Sequence, residues 1–435
     1  MKGQELYKKA KTLIPGGTQL LSKRPELFLP EQWPAYYARA KGVEVVDTDG
    51  TTYVDMSIMG VGACILGYAD PEVDEAVKKA IDRGSMCTLN APEEVELAEL
   101  LCELHPWARM VRYARSGGEA MSIAVRIARA ATGRDKVAFC GYHGWCDWYL
   151  AANLGDEGSL DDHLLPGLEP NGVPRGLRGT ALPFHYNRLD QLKAIVENNR
   201  DTLAAIVMEP QRSQPPRDGF LEEVQAIARS IGAVLVFDEI TTGFRMTAGG
   251  IHLLLGVNPD MAVFAKSMSN GYPMSAVIGT EEVMQAAQST FISSTNWTER
   301  IGPTAALATI KKYRRDNVAD HLKRIGGLVT DGWEKLAVAA GLRLHTDGIP
   351  TLNHFQLEYD NATALTTLFT QIMLEKGYLA YNQFKPSFAH QQHHVEGYLE
   401  AAEGAFATMA EAIRNEDVAQ RLKGPVAQPG FYRLA

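Results

Sequence analysis

The chain has 435 residues, enough for one large domain with appendages or for about three domains. It carries 43 lysines and arginines against 52 aspartates and glutamates, and this net charge of −9 argues against a nucleic-acid partner. A hydrophobic share of 46% beside 22% charged residues excludes wholesale disorder.

Cysteine usage and apolar patterning indicate the compartment. The five cysteines form no CxxC pair, which argues against a disulfide framework and against a cysteine-based zinc site. The N-terminal apolar residues follow a helical stripe rather than the continuous apolar run of a signal peptide. No apolar run approaches the roughly 20 residues that a bilayer span requires. We therefore expect a cytoplasmic protein without a membrane partner.

The first 60 residues predict a helix followed by extended segments. The amphipathic helix runs to Ile14 and is stopped by Pro15-Gly16-Gly17. Extended segments then flank Asp49-Gly50, a pair that is typical of a tight hairpin turn.

Residues 70–310 alternate between helical patterns and short apolar runs. The spacing predicts helices over 71–83, 92–104, 118–132, 220–231 and 303–314. It predicts strands over 137–140, 203–208, 233–237, 261–265 and 276–279. Such alternation indicates a mainly parallel sheet with helices on both faces. Ligands of these sheets bind beyond the carboxyl ends of the strands, so we expect the chemistry there.

A different α+β pattern begins after about residue 315. We therefore divide the chain into an N-terminal segment at 1–60, a large domain at 61–315 and a smaller C-terminal domain at 316–435. The N-terminal segment is expected to join the smaller domain. No internal repeat or low-complexity tract interrupts this division.

Several common catalytic motifs are missing. The sequence has no GxGxxG after a strand and no GxxxxGK[ST], so Rossmann-type nicotinamide enzymes and P-loop NTPases lose their main support. HExxH and GxSxG are also absent. Four other features remain at the strand ends and at one helix start.

Two of these features could bind parts of a ligand, one an anion and the other a planar ring. Ser116-Gly117-Gly118 opens a predicted helix, and glycines there allow backbone N–H groups to approach an anion closely. Tyr142 follows the strand at 137–140 between glycines, where its ring could lie flat against a planar ligand. Taken alone, an ordinary helix start and a core aromatic residue explain them equally well.

The other two features are charged side chains that follow apolar strands. Asp238 closes the strand at 233–237, where a carboxylate costs desolvation unless it meets a cation. Lys266 follows the strand at 261–265, where burial would lower its pKa and make the amine a usable nucleophile. A capping aspartate and a lysine whose stem covers the sheet end are the plainer alternatives.

Together the four features supply the parts that pyridoxal phosphate needs. They are a phosphate cradle, a stacking aromatic ring, a carboxylate and an amine, all expected at one edge of the sheet. The lysine would form a Schiff base, and the carboxylate would keep the pyridine nitrogen protonated so that the ring can accept electrons. The sequence therefore predicts a pyridoxal-phosphate site.

The order of these motifs resembles class III, fold-type-I pyridoxal-phosphate aminotransferases, and among them the glutamate-1-semialdehyde aminotransferase-like members. The resemblance runs in family order from about residue 5 to beyond residue 390. It implies an α/β fold-type-I architecture, with a mainly parallel central sheet in a large domain and a smaller α+β domain. The matching segments are 14–17, 47–50, 116–120, 131–136, 141–144, 208–210, 237–239, 242–245 and 265–266.

The resemblance implies a role for residues at the reacting end of the cofactor. Lys266 would hold the cofactor and then act as general base and acid. Asp238 would pair with the pyridinium nitrogen, while Tyr142 and Ile240 would cover the two faces of the ring. Glu209 matches a family glutamate near the site.

The resemblance also implies how the phosphate is held. Ser116 and the backbone N–H groups of Gly117 and Gly118 would bind it, and Thr295 would reach it from the partner subunit. Each active site would then need both chains of a homodimer. The family's threonine after Ser-Gly is a glycine here, so one phosphate-binding hydroxyl is absent.

Fewer residues are candidates for binding the substrate than for binding the cofactor. Arg24 lies where the aminomutase carries a carboxylate-binding arginine, and a guanidinium fork suits a carboxylate. Trp33 and Trp145 could line a pocket for a sugar or another ring. A surface arginine and core packing are the alternatives. Three histidines near residue 392 lack the surroundings of a metal site, so we expect no metal.

We therefore expect a pyridoxal-phosphate-dependent aminotransferase. An amino donor, expected to be glutamate, would supply the amino group to a keto-sugar or another biosynthetic aldehyde or ketone. The alternative is glutamate-1-semialdehyde 2,1-aminomutase, although Thr241, where many members have a glutamine, and other departures weigh against it. A non-catalytic homologue that acts as a binding protein is disfavoured because Lys266 and Asp238 are both retained.

Overall fold

The computed structural model describes residues 2–155, 158–161, 163 and 167–430. The chain forms two compact units, one of Met1–Pro71 with Asn317–Ala435 and one of Glu72–Asp316. The functional domain boundaries at 60/61 and 315/316 stay a prediction.

The strands of the described residues are short, mostly of four to six residues. In chain order they are β1 Tyr37–Lys41, β2 Glu44–Asp47, β3 Thr52–Asp55, β4 Met110–Ala114, β5 Lys136–Cys140, β6 Ala181–Pro183, β7 Leu203–Met208, β8 Val234–Asp238, β9 Met261–Phe264, β10 Ser275–Gly279, β11 Leu344–Asp347, β12 Asn353–Leu357, β13 Tyr378–Leu379 and β14 Gln383–Phe384.

The α-helices range from single turns to long helices that cover the sheets. In chain order they are α1 Lys2–Leu13, α2 Pro25–Phe28, α3 Met59–Gly62, α4 Pro71–Asp82, α5 Glu93–Leu104, α6 Gly117–Thr132, α7 Asp147–Leu150, α8 Leu189–Asn199, α9 Phe220–Ile231, α10 His252–Leu255, α11 Glu281–Met284, α12 Ile301–Arg315, α13 Val318–Ala340, α14 Ala362–Glu375, α15 Gln392–Arg414 and α16 Val418–Arg421. None of the helices in the described part of the chain is both long enough and apolar enough to cross a bilayer.

The unit of Glu72–Asp316 is built on one seven-stranded sheet in the order β4-β10-β9-β8-β7-β5-β6. The strands from β9 through β6 pair in parallel, whereas β10 is antiparallel to both β9 and β4. Because two reversals restore the direction, β4 runs the same way as β9. The carboxyl ends of β4, β5, β7, β8 and β9 therefore lie at the same edge.

Side chains of this sheet alternate between two apolar clusters, one on each face. Val137 and Phe139 of β5 belong to the cluster that α6 covers, while Ala138 and Cys140 belong to the cluster that α9 covers. Burying each large apolar side chain contributes about 1.5–3 kcal/mol. Burial on both faces explains why the central strands appear in the sequence as continuous apolar runs.

The unit that contains both chain termini has two smaller sheets, β1-β2-β3-β13 and β11-β12-β14. The hairpin predicted at Asp49-Gly50 is confirmed, since β2 and β3 pair antiparallel on either side of it. Strand β13 then pairs in parallel with β3, so that residues from both ends of the sequence share one sheet. Helices α13, α14 and α15 pack around a buried aromatic cluster that includes Trp333 and Phe355.

Gly326 of α13 tests how closely this helix packs. A Cβ at Gly326 would lie 1.6 Å from the carbonyl oxygen of Pro350, whereas a Cβ at Gly327 would meet nothing within 4 Å. We expect Gly326→Ala to destabilise the protein by about 3 kcal/mol. Gly327→Ala should stabilise it by about 0.5–1 kcal/mol, because alanine favours a helix interior over glycine. Urea midpoints of the two variants measure this difference, and equal midpoints would contradict it.

The predicted secondary structure is confirmed for all five helices and five strands of the region 70–310, with small shifts at their ends. The strand predicted over 276–279 is β10, which runs antiparallel to both of its neighbours within this mainly parallel sheet. The sequence patterns missed β4, β6, α8 and the single-turn helices α7, α10 and α11. Strands β4 and β6 are the two edges of the sheet, where half-exposed residues such as Arg112 and a proline replace the apolar run.

Candidate active site

The predicted site residues converge where the parallel strands end. Ser116 lies two residues beyond β4, Tyr142 two beyond β5, and Glu209 directly after β7. Asp238 ends β8, and Lys266 lies two residues beyond β9. This is the sheet edge where ligands bind in α/β proteins.

Lys266 occupies a strained backbone position with a φ of +45°. Such strain in a residue other than glycine is common at functional sites. The side chain is partly buried, and its Nζ donates a hydrogen bond to Oγ1 of Thr241 over 2.9 Å. Burial, followed by the charges of Arg212 and Arg245, lowers the pKa of Lys266 to about 8. A large fraction of the amine is therefore neutral, and nucleophilic, near pH 8.

Asp238 is 3% exposed and is held by His143, a residue that the sequence interpretation did not single out. Oδ2 of Asp238 lies 2.8 Å from Nδ1 of His143, and Nε2 of His143 lies 3.0 Å from the carbonyl oxygen of Cys140. Because a carbonyl only accepts, Nε2 carries a proton. The Gly-Tyr-His-Gly motif was the available signal for this histidine.

A buried hydrogen-bond network fixes the loop that follows Asp238. Oε1 of Glu239 accepts from the backbone N and Nδ1 of His252, over 3.0 and 2.8 Å, and Oε2 accepts from the hydroxyl of Thr242. Burial raises the pKa of Glu239, but its hydrogen bonds with His252 outweigh this and hold the pKa below its usual value. The loop therefore keeps Thr241 in place beside Lys266.

The N-terminus of α6 provides donors for an anion. The backbone N and Oγ of Ser116 both donate to Oε2 of Glu119, over 3.0 and 3.1 Å, which fixes the start of the helix. Within the described residues, the backbone N–H groups of Gly117 and Gly118 have no acceptor. A Cβ on Gly117 would lie 2.9 Å from Cδ1 of Ile240, so helix start and loop lie side by side.

Tyr142 and Glu209 also lie together. Oε2 of Glu209 accepts from the backbone N of Tyr142 over 3.5 Å. Gly141 has a φ of +106°, and a Cβ there would lie 2.8 Å from Oε2 of Glu209, so only glycine allows this approach. Burial raises the pKa of Tyr142, which keeps its phenol neutral. Nη1 of Arg212, a residue that no sequence pattern singled out, lies 3.3 Å from both oxygens of Glu209.

The remaining candidates are more dispersed. Trp145 is 69% exposed and lies against Gly118, where a Cβ would be 3.0 Å from its Nε1. Thr295 is exposed on a single 3₁₀ turn. Arg24 and Trp33 belong to the other unit, where Nη2 of Arg24 donates to the carbonyl oxygen of Gly430 and Trp33 stacks on Phe28. Their roles stay predictions.

This arrangement fits pyridoxal phosphate. A partly neutral amine, a buried carboxylate and unsatisfied backbone donors at a helix start match the aldehyde, the ring nitrogen and the phosphate of the cofactor. Among the described residues, no group of three or more histidine, cysteine or acidic side chains could hold a metal ion.

Comparison with known proteins agrees with this fit. The sequence profile described as Aminotransferase class-III matches residues 30–344. The chain is 34% identical over 397 residues to the 3-aminobutyryl-CoA aminotransferase of Cloacimonas acidaminovorans (strain Evry), covering 89% of this chain and 91% of that one. It is 33% identical over 435 residues to the glutamate-1-semialdehyde 2,1-aminomutase of Heliobacterium modesticaldum (strain ATCC 51547 / Ice1), covering 94% and 97%.

The fold is likewise shared with solved transaminase-type structures. The PLP internal aldimine form of the FumI protein of Sphingopyxis sp. MTA144 superposes with a TM-score of 0.86 at 24% identity, covering 95% of this chain and 97% of that one. The predicted architecture, a mainly parallel sheet of fold type I, is therefore confirmed.

Proposed function

Because the chain belongs to the class-III aminotransferases and uses pyridoxal phosphate, we propose that it moves the amino group of glutamate to an aldehyde or ketone acceptor. The observation that carries this proposal is the amine of Lys266, whose pKa is lowered to about 8 and which lies at the same sheet edge as Asp238. The acceptor is a keto-sugar or another biosynthetic carbonyl compound.

Pyridoxal phosphate, when bound, supplies an aldehyde that captures amines and a ring that accepts electrons. Lys266 would hold the cofactor through Nζ. Once freed by the incoming donor, Nζ would take the proton from the donor carbon that bears the amino group and deliver it to the cofactor carbon that carried the aldehyde. The hydroxyl of Thr241, 2.9 Å away, orients the amine for this transfer.

The other site residues would orient the bound cofactor and stabilise its charges. Asp238 would hold the proton of the ring nitrogen, and His143 would keep the carboxylate in place. Tyr142 and Ile240 would enclose the ring and exclude water from its faces. The N–H groups of Gly117 and Gly118, at the positive end of the α6 dipole, would bind the phosphate. The hydroxyl of Ser116, which donates to Glu119 in this structure, would turn to the phosphate to join them.

A homodimer with shared active sites is part of this proposal. Thr295 would complete the phosphate site of the partner subunit, and its exposure in one chain supports this role. Large apolar side chains of the same unit are also exposed, among them Leu89 at 78%, Trp145 at 69% and Phe291 at 84%. An interface between two chains would cover these side chains. All five cysteines are free, which supports a reducing, cytoplasmic location.

The first half-reaction tests the function directly. Addition of glutamate to the purified holoenzyme, without an acceptor, should bleach the visible band of the bound cofactor and release one equivalent of 2-oxoglutarate per site. Keto-sugars and other carbonyl compounds are then screened for recovery of the band. If neither glutamate nor any of a panel of amino donors changes the spectrum, the proposal is wrong.

The aminomutase reaction is the second candidate, because the Heliobacterium modesticaldum relative spans nearly the whole chain. That reaction moves an amino group within one molecule. Isomerisation of glutamate 1-semialdehyde without net consumption of an amino donor would favour it over the proposed transfer between two molecules.

A further inference from the structure

Arg212 is a cation near Lys266 that no step of the proposed reaction uses. It lies four residues beyond the end of β7, at the same sheet edge as the amine. Its side chain remains 31% exposed. After burial, the charge of Arg212 is the next cause that lowers the pKa of Lys266, so the two groups are close.

The guanidinium of Arg212 is only partly engaged. Nη1 alone contacts Glu209, and its 3.3 Å distances to both oxygens exceed the roughly 2.7–2.9 Å of a strong charge-assisted hydrogen bond. Nη2 and Nε donate to no atom of the described residues. These two groups form the fork that binds a carboxylate through two parallel hydrogen bonds.

Arg245, the other guanidinium that lowers the pKa of Lys266, cannot serve this purpose. It is 1% exposed, and its Nε donates to the backbone carbonyl of Thr241. Arg212 is therefore the one of these two cations that a ligand can reach.

We infer that Arg212 binds the carboxylate of the amino donor, and thereby selects amino acids over simple amines. The inference rests on the proposed function and identifies the residue that binds the amino donor at that site. Glu209 holds the guanidinium beside the backbone of Tyr142, where the reacting end of the site lies. The pair of Glu209 and Arg212 is neutral overall, which favours a monoanionic carboxylate over a phosphate dianion.

Donor selectivity provides the first test. The ratio of kcat/KM for glutamate to kcat/KM for 1-phenylethylamine, which lacks a carboxylate, is measured for the wild type, Arg212→Gln and Arg212→Lys. Loss of two charge-assisted hydrogen bonds should lower this ratio about 100-fold in Arg212→Gln, with partial recovery in Arg212→Lys. Arg217→Gln removes the same charge from an exposed position on the same loop and should leave the ratio unchanged.

Binding of glutarate, a dicarboxylate without an amine, gives a second readout that needs no turnover. Calorimetry is done on the cofactor-free protein at pH 9, where Lys266, with its pKa of about 8, is mostly neutral. Arg212→Gln should weaken glutarate binding at least about tenfold. Unchanged selectivity together with unchanged glutarate affinity would overturn the inference, as would effects that follow Arg24→Gln instead. A wild type that binds glutarate through Arg212 but transfers no amino group would refute the proposed function alone.

Discussion

Replacement of Lys266 with alanine is expected to lower the rate of amino transfer from glutamate by about 10⁴-fold or more, because Nζ both holds the cofactor and moves the proton. Single-turnover release of 2-oxoglutarate measures this loss. The variant should still bind pyridoxal phosphate without a covalent bond, since Asp238 and the start of α6 are unchanged. Lys266→Arg, which keeps a charge but lacks a nucleophile, should be equally slow. A Lys266→Ala protein with wild-type rates would contradict the assignment.

The lowered pKa gives the same residue a pH signature. A protonated amine cannot attack the aldehyde, so capture of pyridoxal phosphate by the cofactor-free protein should slow about tenfold per pH unit below pH 8 and level off above it. A lysine with the ordinary pKa of 10.5 would show a rate that still rises beyond pH 9. The midpoint of the stopped-flow profile therefore reports the environment of Lys266.

Lys266→Ala also serves to test the shared active site. In the proposed homodimer, mixing it with Thr295→Glu would give hybrids in which one site combines an intact Lys266 with an intact Thr295 from the partner subunit. Random exchange should then restore about a quarter of the wild-type rate. If Thr295 acts within its own chain, mixing the two variants gives no such recovery. If Thr295 has no role at the site, Thr295→Glu is already active before mixing.

The central part of the fold could be predicted well from the sequence, because the interior of the sheet accepts few residue types. The strands that end in Asp238 and lead to Lys266 are buried on both faces, so only continuous apolar runs satisfy them. Charged residues at the ends of such runs stand out for the same reason. The edge strand β4 is mostly half-buried, so it does not need a continuous apolar run. Its sequence therefore looks like that of a loop.

The parts of the site that escaped prediction depend on contacts between distant segments. His143 directly follows Tyr142 in the same motif, and no local pattern marks it as a site residue. Its partner Asp238 is 95 residues away in the sequence. Arg212 follows an apolar strand by a short polar stretch and differs in no local feature from a surface arginine. The folded structure reveals its position, because Arg212 contacts Glu209 there and its charge lowers the pKa of Lys266.

Asp238→Asn is the second replacement with a large expected effect. The amide can keep a hydrogen bond to His143 but supplies no negative charge to a protonated ring nitrogen, so kcat should fall by about 10²–10³-fold. Cofactor affinity should change much less, because the phosphate contacts at α6 remain. Stopped-flow measurement of the glutamate half-reaction, with cofactor content determined in parallel, separates the two effects.

His143 provides the control for this interpretation. Nδ1 of His143 lies 2.8 Å from Oδ2 of Asp238, so His143→Phe removes the partner of Oδ2, although Oδ1 still accepts from the backbone N of Ile240. We therefore expect His143→Phe to lower kcat about tenfold. In the Asp238→Asn variant the charge that His143 positions is already absent. Adding His143→Phe to that variant should therefore lower kcat only slightly further. If the two effects multiplied instead, His143 would act on the fold and not through Asp238.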